Sequence, residues 1–201
     1  MSLSTYAQLQ ASIASWLDHD ALDAVIPDFI TMAESNFARD IRHRSMVTTT
    51  DLTISTRYTD LPADHLQTIR LDCNGKRMLA RSTDDLTEKR YTGSAAGEPC
   101  LFAPFGDAIE VYPTPDSSYT GVLHYYAKLP ALADDNTSNW LLAAAPDVYL
   151  YGSLIHAAPF LAEDARLNTW AGMYAAAVKN MNDRERSSGW PSAMSIPARG
   201  A

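Results

Sequence analysis

The chain has 201 residues, of which 46% are hydrophobic and 20% are charged. This length and composition are typical of one globular domain, or of a compact domain that carries an insertion, and they exclude a wholly disordered chain. A formal net charge of −8 argues against a protein that gains its affinity by neutralising nucleic-acid phosphates. The charge does not exclude a protein with a negative surface past which DNA slides without binding.

The sequence predicts a soluble intracellular protein without a membrane partner. Its start, Met-Ser-Leu-Ser-Thr-Tyr, has neither the basic nor the apolar part of a secretory signal. The longest mostly apolar stretch, Val148 to Ala162, is shorter than the roughly 20 residues that span a bilayer. Cys73 and Cys100 lack Cys-x-x-Cys spacing, and we interpret them as small apolar strand residues in a reducing cytoplasm.

Two helices are predicted near the start of the chain. The first runs from Thr5 to about Leu17, with Ser4 as its N-cap. Pro27 suits the first position of a second, longer helix, because the missing N–H of proline costs little there. Three arginines lie near the electronegative C-terminal end of this second helix: Arg39, Arg42 and Arg44.

The composition then changes, and residues 45–136 are predicted to be rich in strands. The predicted strands are 46–54, 68–72, 77–79, 101–105, 108–112 and 119–128, with a brief helix at 82–90. Asn74-Gly75 predicts a hairpin, since both residues tolerate the positive φ angles of a type I′ turn.

Helices are predicted to return after a polar loop at 133–139. Pro146 is placed like a first helical residue, and the segment that follows it is apolar around most of its circumference, which implies burial between neighbours. A last helix is predicted from about Glu163 to Arg186. Gly189, Pro191 and Pro197 prevent this helix from continuing to the end of the chain.

These elements predict an α+β fold built as a helical bundle with a β-rich insertion. Residues 1–44 and 137–187 form the predicted bundle, 45–136 the insertion, and 188–201 an extended C-terminal arm. The arm is interpreted as a partner-binding segment, and the alternative is a frayed terminus. Its predicted contact residues are Trp190, Pro191, Met194, Ile196 and Arg199.

No catalytic residue, metal ligand or cofactor site is predicted. Asp18-His19-Asp20 lacks a second group with ligand spacing, and Asp20 is interpreted as a helix cap. Glu34 is the most interesting acid, but Asp40, the nearest acid on its helix, lies on another face. His156 is interpreted as a hydrogen-bonded core histidine. An aromatic group is assigned to packing or subunit contact rather than to base stacking: Trp140, Tyr149, Tyr151, Trp170 and Tyr174.

Three stretches together carry a resemblance to a known family. They are Ile26 to Arg42, Tyr58 to Leu66 and Tyr112 to Gly152. In their order and spacing they resemble the head-to-tail adaptor proteins of tailed bacteriophages. His65 and His156 depart from the pattern, because related sequences tend to have an aromatic residue and an acid there. The acid's absence weakens any carry-over of a carboxylate-based activity.

The resemblance implies a structural virion protein and the partners that go with it. It implies a dodecameric ring in the virion neck, assembled in the host cytoplasm, whose channel carries DNA during genome ejection without sequence-specific binding. The helical part would face the portal protein, with the arm along it, and the β-rich part would face the tail nozzle or tail tube. Two alternatives stay open: a connector that also hydrolyses peptidoglycan, and a packaging factor absent from the finished virion.

Overall fold

The computed structural model describes residues 3–18, 20–93, 96–161 and 164–188. In that part of the chain the fold is α+β, as predicted. The helices are α1 (Tyr6–Leu17), α2 (Ile26–Asp40), α3 (Thr83–Thr92), α4 (Trp140–Ala144), α5 (Pro146–Leu161) and α6 (Asp164–Ser188). The strands are β1 (Val47–Ile54), β2 (Tyr58–Asp60), β3 (His65–Cys73), β4 (Lys76–Arg77), β5 (Leu79–Ala80), β6 (Leu101–Phe105), β7 (Ala108–Tyr112) and β8 (Tyr119–Ala127).

The chain divides into two compact units. One unit comprises the described residues of Met1–Arg44 and Leu129–Ala201, and the other is Ser45–Lys128. The first unit, which we call the helical unit, contains α1, α2, α4, α5 and α6. The second, which we call the β unit, contains α3 and the eight described strands.

In the helical unit, α5 packs against each of the other four helices. The residues of α5 explain this position, because Val148, Tyr149 and Leu154 are buried on different sides of the helix. At Gly152 the backbone of α5 approaches α2 so closely that an added Cβ would lie 2.9 Å from Cε1 of Phe37. Helix α5, which the sequence showed to be apolar around most of its circumference, is therefore the central helix of the helical unit.

The N-cap predicted for the first helix is wrong by one residue. The helix begins at Tyr6, and Thr5 Oγ1 accepts a hydrogen bond from the backbone N–H of Gln8 at 3.4 Å. Ser4 instead contacts the side-chain Oε1 of Gln8, at 3.0 Å from both its backbone N and its Oγ. Thr5 and Ser4 are both favoured caps, so only the backbone geometry decides between them.

The second helix begins one residue before the predicted position and ends sooner than its arginines suggest. Pro27 is its second residue, and Ile41 is extended, with φ −110° and ψ 131°. Arg42 lies beyond the helix but donates hydrogen bonds to the carbonyls of Ala38 and Ile41, at 2.8 and 2.7 Å. The arginine thus satisfies carbonyl groups that the helix end leaves open.

The β unit is built from two four-stranded sheets. The first sheet has the order β1-β8-β3-β4, and the second has the order β2-β7-β6-β5. Strand pairs are antiparallel, except that β5 and β6 are parallel and are connected through α3. The two sheets share one core, whose buried members are Ile54, Leu71, Cys73, Met78, Phe102, Ile109, Val111, Leu123 and Tyr125.

The hairpin predicted at Asn74-Gly75 is confirmed, and the strands predicted at 101–105 and 108–112 also pair as a hairpin. Asn74 and Gly75, with φ of 47° and 75°, form the turn between β3 and β4, and Gly106, with φ of 59°, lies in the turn between β6 and β7. The helix at 82–90 is also confirmed as α3, with Ser82 Oγ accepting from the N–H of Asp85 at 3.1 Å. The strand predicted at 77–79 is divided between β4 and β5, and the sequence pattern missed β2 and the short helix α4.

Candidate functional site

Glu34 of α2, the acid singled out from the sequence, is held by hydrogen bonds within the helical unit. Its Oε1 accepts from the backbone N–H of Leu132 at 2.8 Å and from the hydroxyl of Tyr149 at 3.0 Å. Asn139 extends this network, because its Nδ2 donates to the Tyr149 oxygen at 2.6 Å and to the carbonyl of Pro130 at 2.8 Å. We call Glu34, Tyr149 and Asn139 the Glu34 network; it fastens the segment after residue 129 to α2 and α5.

Burial dominates the electrostatics of this network. It raises the pKa of Glu34 above its ordinary value of 4.5, although the hydrogen bonds from Leu132 and Tyr149 act in the opposite direction. Burial, followed by the charge of Glu34, raises the pKa of Tyr149, so its hydroxyl stays a donor. Both hydrogen bonds end on the same oxygen, Oε1, so Glu34 is a common acceptor that joins α2 to α5 and to the segment around Leu132.

Asp40, the second acid of the same helix, has a separate partner. Its Oδ2 accepts a hydrogen bond from the hydroxyl of Tyr174 on α6 at 2.8 Å. Burial is the first cause that raises the pKa of Tyr174, and the hydrogen bond to Asp40 adds to it. Asp40 therefore joins α2 to α6, whereas Glu34 joins α2 to α5.

His65 and His156, the two histidines that depart from the family pattern, both contact other side chains of the fold. Nε2 of His156 lies 2.9 Å from Nδ2 of Asn36, so the predicted hydrogen bond is confirmed. Burial, followed by the charge of Arg39, lowers the pKa of His156. The His65 ring stacks on Tyr125 with centroids 5.5 Å apart, which lets the imidazole take the place of an aromatic residue.

The predicted aromatic group packs within the helical unit. Tyr149 and Trp170 are buried, and Trp140 stacks on His43 with ring centroids 5.0 Å apart. Tyr151 meets Trp16 edge to face, with centroids 6.1 Å apart. Rings engaged in these contacts are not a stacking platform for bases.

A buried ion cluster in the β unit was not predicted from the sequence. Oε1 of Glu110, a residue that is 1% exposed, lies 2.7 Å from Arg57 Nη2 and 3.1 Å from Arg90 Nε. Arg90 also donates to the carbonyl of Val111 at 2.6 Å and to Thr114 Oγ1 at 2.9 Å. The cluster therefore attaches α3 to β7, and its members are too far apart in sequence for any local pattern to reveal it.

An exposed aromatic pair lies beside this ion cluster. The rings of Tyr58 and Phe105 have centroids 4.9 Å apart and are 39% and 50% exposed. The guanidinium of Arg57 lies 5.1 Å from the Tyr58 ring centroid. Tyrosine, phenylalanine and arginine are enriched at protein interfaces, so Arg57, Tyr58 and Phe105 form a candidate contact surface.

The predicted arm residues Trp190, Pro191, Met194, Ile196 and Arg199 lie outside the described residues. Across residues 3–18, 20–93, 96–161 and 164–188, none of the groupings of His, Cys, Asp and Glu has an arrangement suited to a metal ion. Within the same described ranges, every helix is too short or too polar to cross a membrane.

Comparison with known proteins adds one positive finding. A family model described as SU10 adaptor protein matches residues 4–197. No curated protein matches the chain. The match covers both units, so it concerns the chain as a whole rather than a local motif.

Proposed function

Because the chain belongs to the SU10 adaptor protein family, a family of phage head-to-tail adaptors, we propose that it forms a ring between portal and tail. Its role is that of a structural adaptor in the neck of the virion, and a structural adaptor family implies no enzymatic activity. The observation that carries the proposal is the family match over residues 4–197.

The proposed ring is dodecameric and continues the channel through which DNA leaves the head. The net charge of −8 supports a channel that does not retain DNA and an assembly that needs a template. Like-charged subunits repel one another until a template holds them together, and a negative channel does not retain DNA. Assembly is therefore proposed to depend on the portal.

The faces of the ring are proposed to follow the division that the sequence predicts. Residues 1–44 and 137–187 face the portal, residues 45–136 face the tail nozzle or tail tube, and the arm at 188–201 lies along the portal. Trp190 is the proposed anchor of the arm, while Pro191, Met194 and Ile196 add apolar contact and Arg199 meets an acidic rim. The Tyr58–Phe105 pair supports a contact role for the β unit, because exposed aromatic side chains are typical of interfaces.

Sedimentation of the purified chain, alone and with its portal protein, tests the proposal. The expected result is a slowly sedimenting species alone and a ring-sized complex with portal. A matched control is the chain at high salt without portal, where weaker charge repulsion should favour partial self-association. A stable closed dimer that ignores portal would contradict the proposal.

A further inference from the structure

Among the described residues, one edge of the first sheet has no strand beside it. Strand β1 pairs with β8 along all eight of its residues, from Val47–Tyr126 to Ile54–Tyr119. On its other side, no described strand pairs with β1, and no hydrogen bond joins that edge to another part of the described backbone. Every second residue of β1 therefore presents an unpaired N–H and C=O.

Apart from the charge of Asp51, this edge lacks the features that usually protect an edge strand. Its sequence, Val47-Thr-Thr-Thr-Asp-Leu-Thr-Ile54, contains no proline and no lysine, and its pairing with β8 has no register shift. Strand β3, in contrast, has irregularities between His65 and Gln67 and between Thr68 and Arg70. Strands β2, β4 and β5 are only two or three residues long. Among the described strands that lie at a sheet edge, β1 is therefore the one that is both long and regularly paired.

The two faces of β1 specify the chemistry of a strand that could join it. Thr50 lies opposite the core residue Leu123, and Leu52 packs against the same core, so the neighbours of Thr50 and Leu52 should be apolar or β-branched. Asp51 faces the other way and is exposed, and no salt bridge engages it in the described part of the chain. A basic residue is the complementary neighbour for Asp51.

We propose that β1 binds an extended segment of a partner protein as a fifth strand of the first sheet, with a Lys or Arg opposite Asp51 between two β-branched residues. Main-chain hydrogen bonds along β1 supply the affinity, and the alternation of side chains supplies the selectivity. The inference concerns the β unit alone and holds whether or not the chain forms a ring.

A synthetic peptide tests this directly. The probe is acetyl-Thr-Thr-Val-Lys-Val-Thr-Thr-amide, added to the full chain while amide hydrogen exchange is followed residue by residue. Alternate amides within 47–54 are expected to exchange at least about tenfold more slowly when the peptide is bound. The control peptide has Glu in place of Lys, and its affinity is expected to be about three- to tenfold lower, because a like charge then faces Asp51.

Two adjacent substitutions, Thr49→Pro and Thr50→Pro, locate the binding edge. Neighbouring N–H groups of a strand point to opposite edges, so one proline removes a hydrogen bond to β8 and the other removes only the free donor. The variant with unchanged melting behaviour is expected to lose peptide binding. Unchanged binding in that variant overturns the proposal.

Asp51→Lys provides a test that does not depend on either proline variant folding. This substitution is expected to reverse the preference, so that the Glu peptide binds about three- to tenfold more tightly than the Lys peptide. Retention of the original preference overturns the proposal. Protection elsewhere than at β1, or concentration-dependent protection of β1 without peptide, also overturns it, and the latter would assign the edge to a second copy of this chain.

Discussion

At the scale of single residues, two partly or fully buried carboxylates organise the two units in different ways. Glu34 accepts hydrogen bonds from neutral donors, the Tyr149 hydroxyl and the Leu132 amide. Glu110 is paired with two guanidinium groups, those of Arg57 and Arg90. Burial penalises the charge of Glu34 without an opposite charge to offset it, whereas the charge of Glu110 is neutralised by its partners.

This difference predicts a pH-dependent effect of Glu34→Gln. The pKa of Glu34 is raised above 4.5 in the folded chain, so the folded state binds its proton more tightly than the unfolded state does. Its contribution to the free energy of unfolding is therefore greatest below about pH 4.5 and falls as pH rises through the folded pKa. Denaturant unfolding should show wild type gaining stability relative to Glu34→Gln on acidification. For the exposed control Asp135→Asn, the difference in unfolding free energy from wild type should depend less on pH. An equal pH dependence for the two variants would contradict the role assigned to Glu34.

The same residue tests whether the chain is a peptidoglycan hydrolase. Because Glu34 and Asp40 are hydrogen-bonded to different tyrosines, we expect no clearing of purified peptidoglycan in zymography. Clearing by wild type that disappears in Glu34→Gln would assign a catalytic role to this acid and contradict the expectation.

The ion cluster predicts unequal costs for its two arginines. Arg90→Met should lower the free energy of unfolding by about 3 kcal/mol or more, because Glu110 stays buried and the bonds to Val111 and Thr114 are also lost. Arg57→Met should cost less, since the Arg57 side chain is 41% exposed and that of Arg90 is 18% exposed. Urea titration of the two variants measures the difference, and equal losses would contradict it.

At the scale of elements, the two glycines of α5 and α6 differ in how closely a neighbouring helix approaches them. Gly152 lets α5 lie against Phe37 of α2, while Gly172 of α6 has nothing within 4 Å of the position of an added Cβ. Both glycines lie in helices, so both carry the same intrinsic cost relative to alanine. Only one of them has a packing reason to be glycine.

These two positions form a matched pair of predictions. Gly152→Ala places a Cβ 2.9 Å from a ring carbon of Phe37 and should destabilise the chain by about 1 kcal/mol or more, even after the gain in helix propensity. Gly172→Ala meets open space and should stabilise it by up to about 1 kcal/mol. Thermal melting of both variants checks the opposite signs; the same sign in both would contradict the packing argument.

At the scale of the whole molecule, the proposed arm separates attachment from folding. Deleting residues 188–201 should leave the melting temperature nearly unchanged, because Gly189, Pro191 and Pro197 deny this segment a helix of its own. It should abolish stable attachment to portal, and Trp190→Ala alone should weaken attachment by about 2 kcal/mol. Co-sedimentation with portal measures both. Normal attachment of the truncated chain would show that the segment is only a frayed end.

Elements whose signals are local could be predicted from the sequence. Pro146 and the apolar segment after it predicted α5, the composition of 82–90 predicted α3, and Asn74-Gly75 predicted the first hairpin. Each of these depends on side chains within one or two turns of one another, so neighbouring residues carry enough information. The family resemblance could also be recognised from the sequence, because it depends on the order and spacing of three stretches of packing residues.

The contacts between distant residues, in contrast, are known only from the three-dimensional fold. It assigned Glu34 to Tyr149 and Leu132, joined Glu110 to Arg57 and Arg90, and divided the strands between two sheets with β1 at an open edge. These contacts join residues that are about 20 to 115 positions apart. Hydrophobic alternation predicts that a strand exists, but pairing partners and free edges depend on which strands share a core.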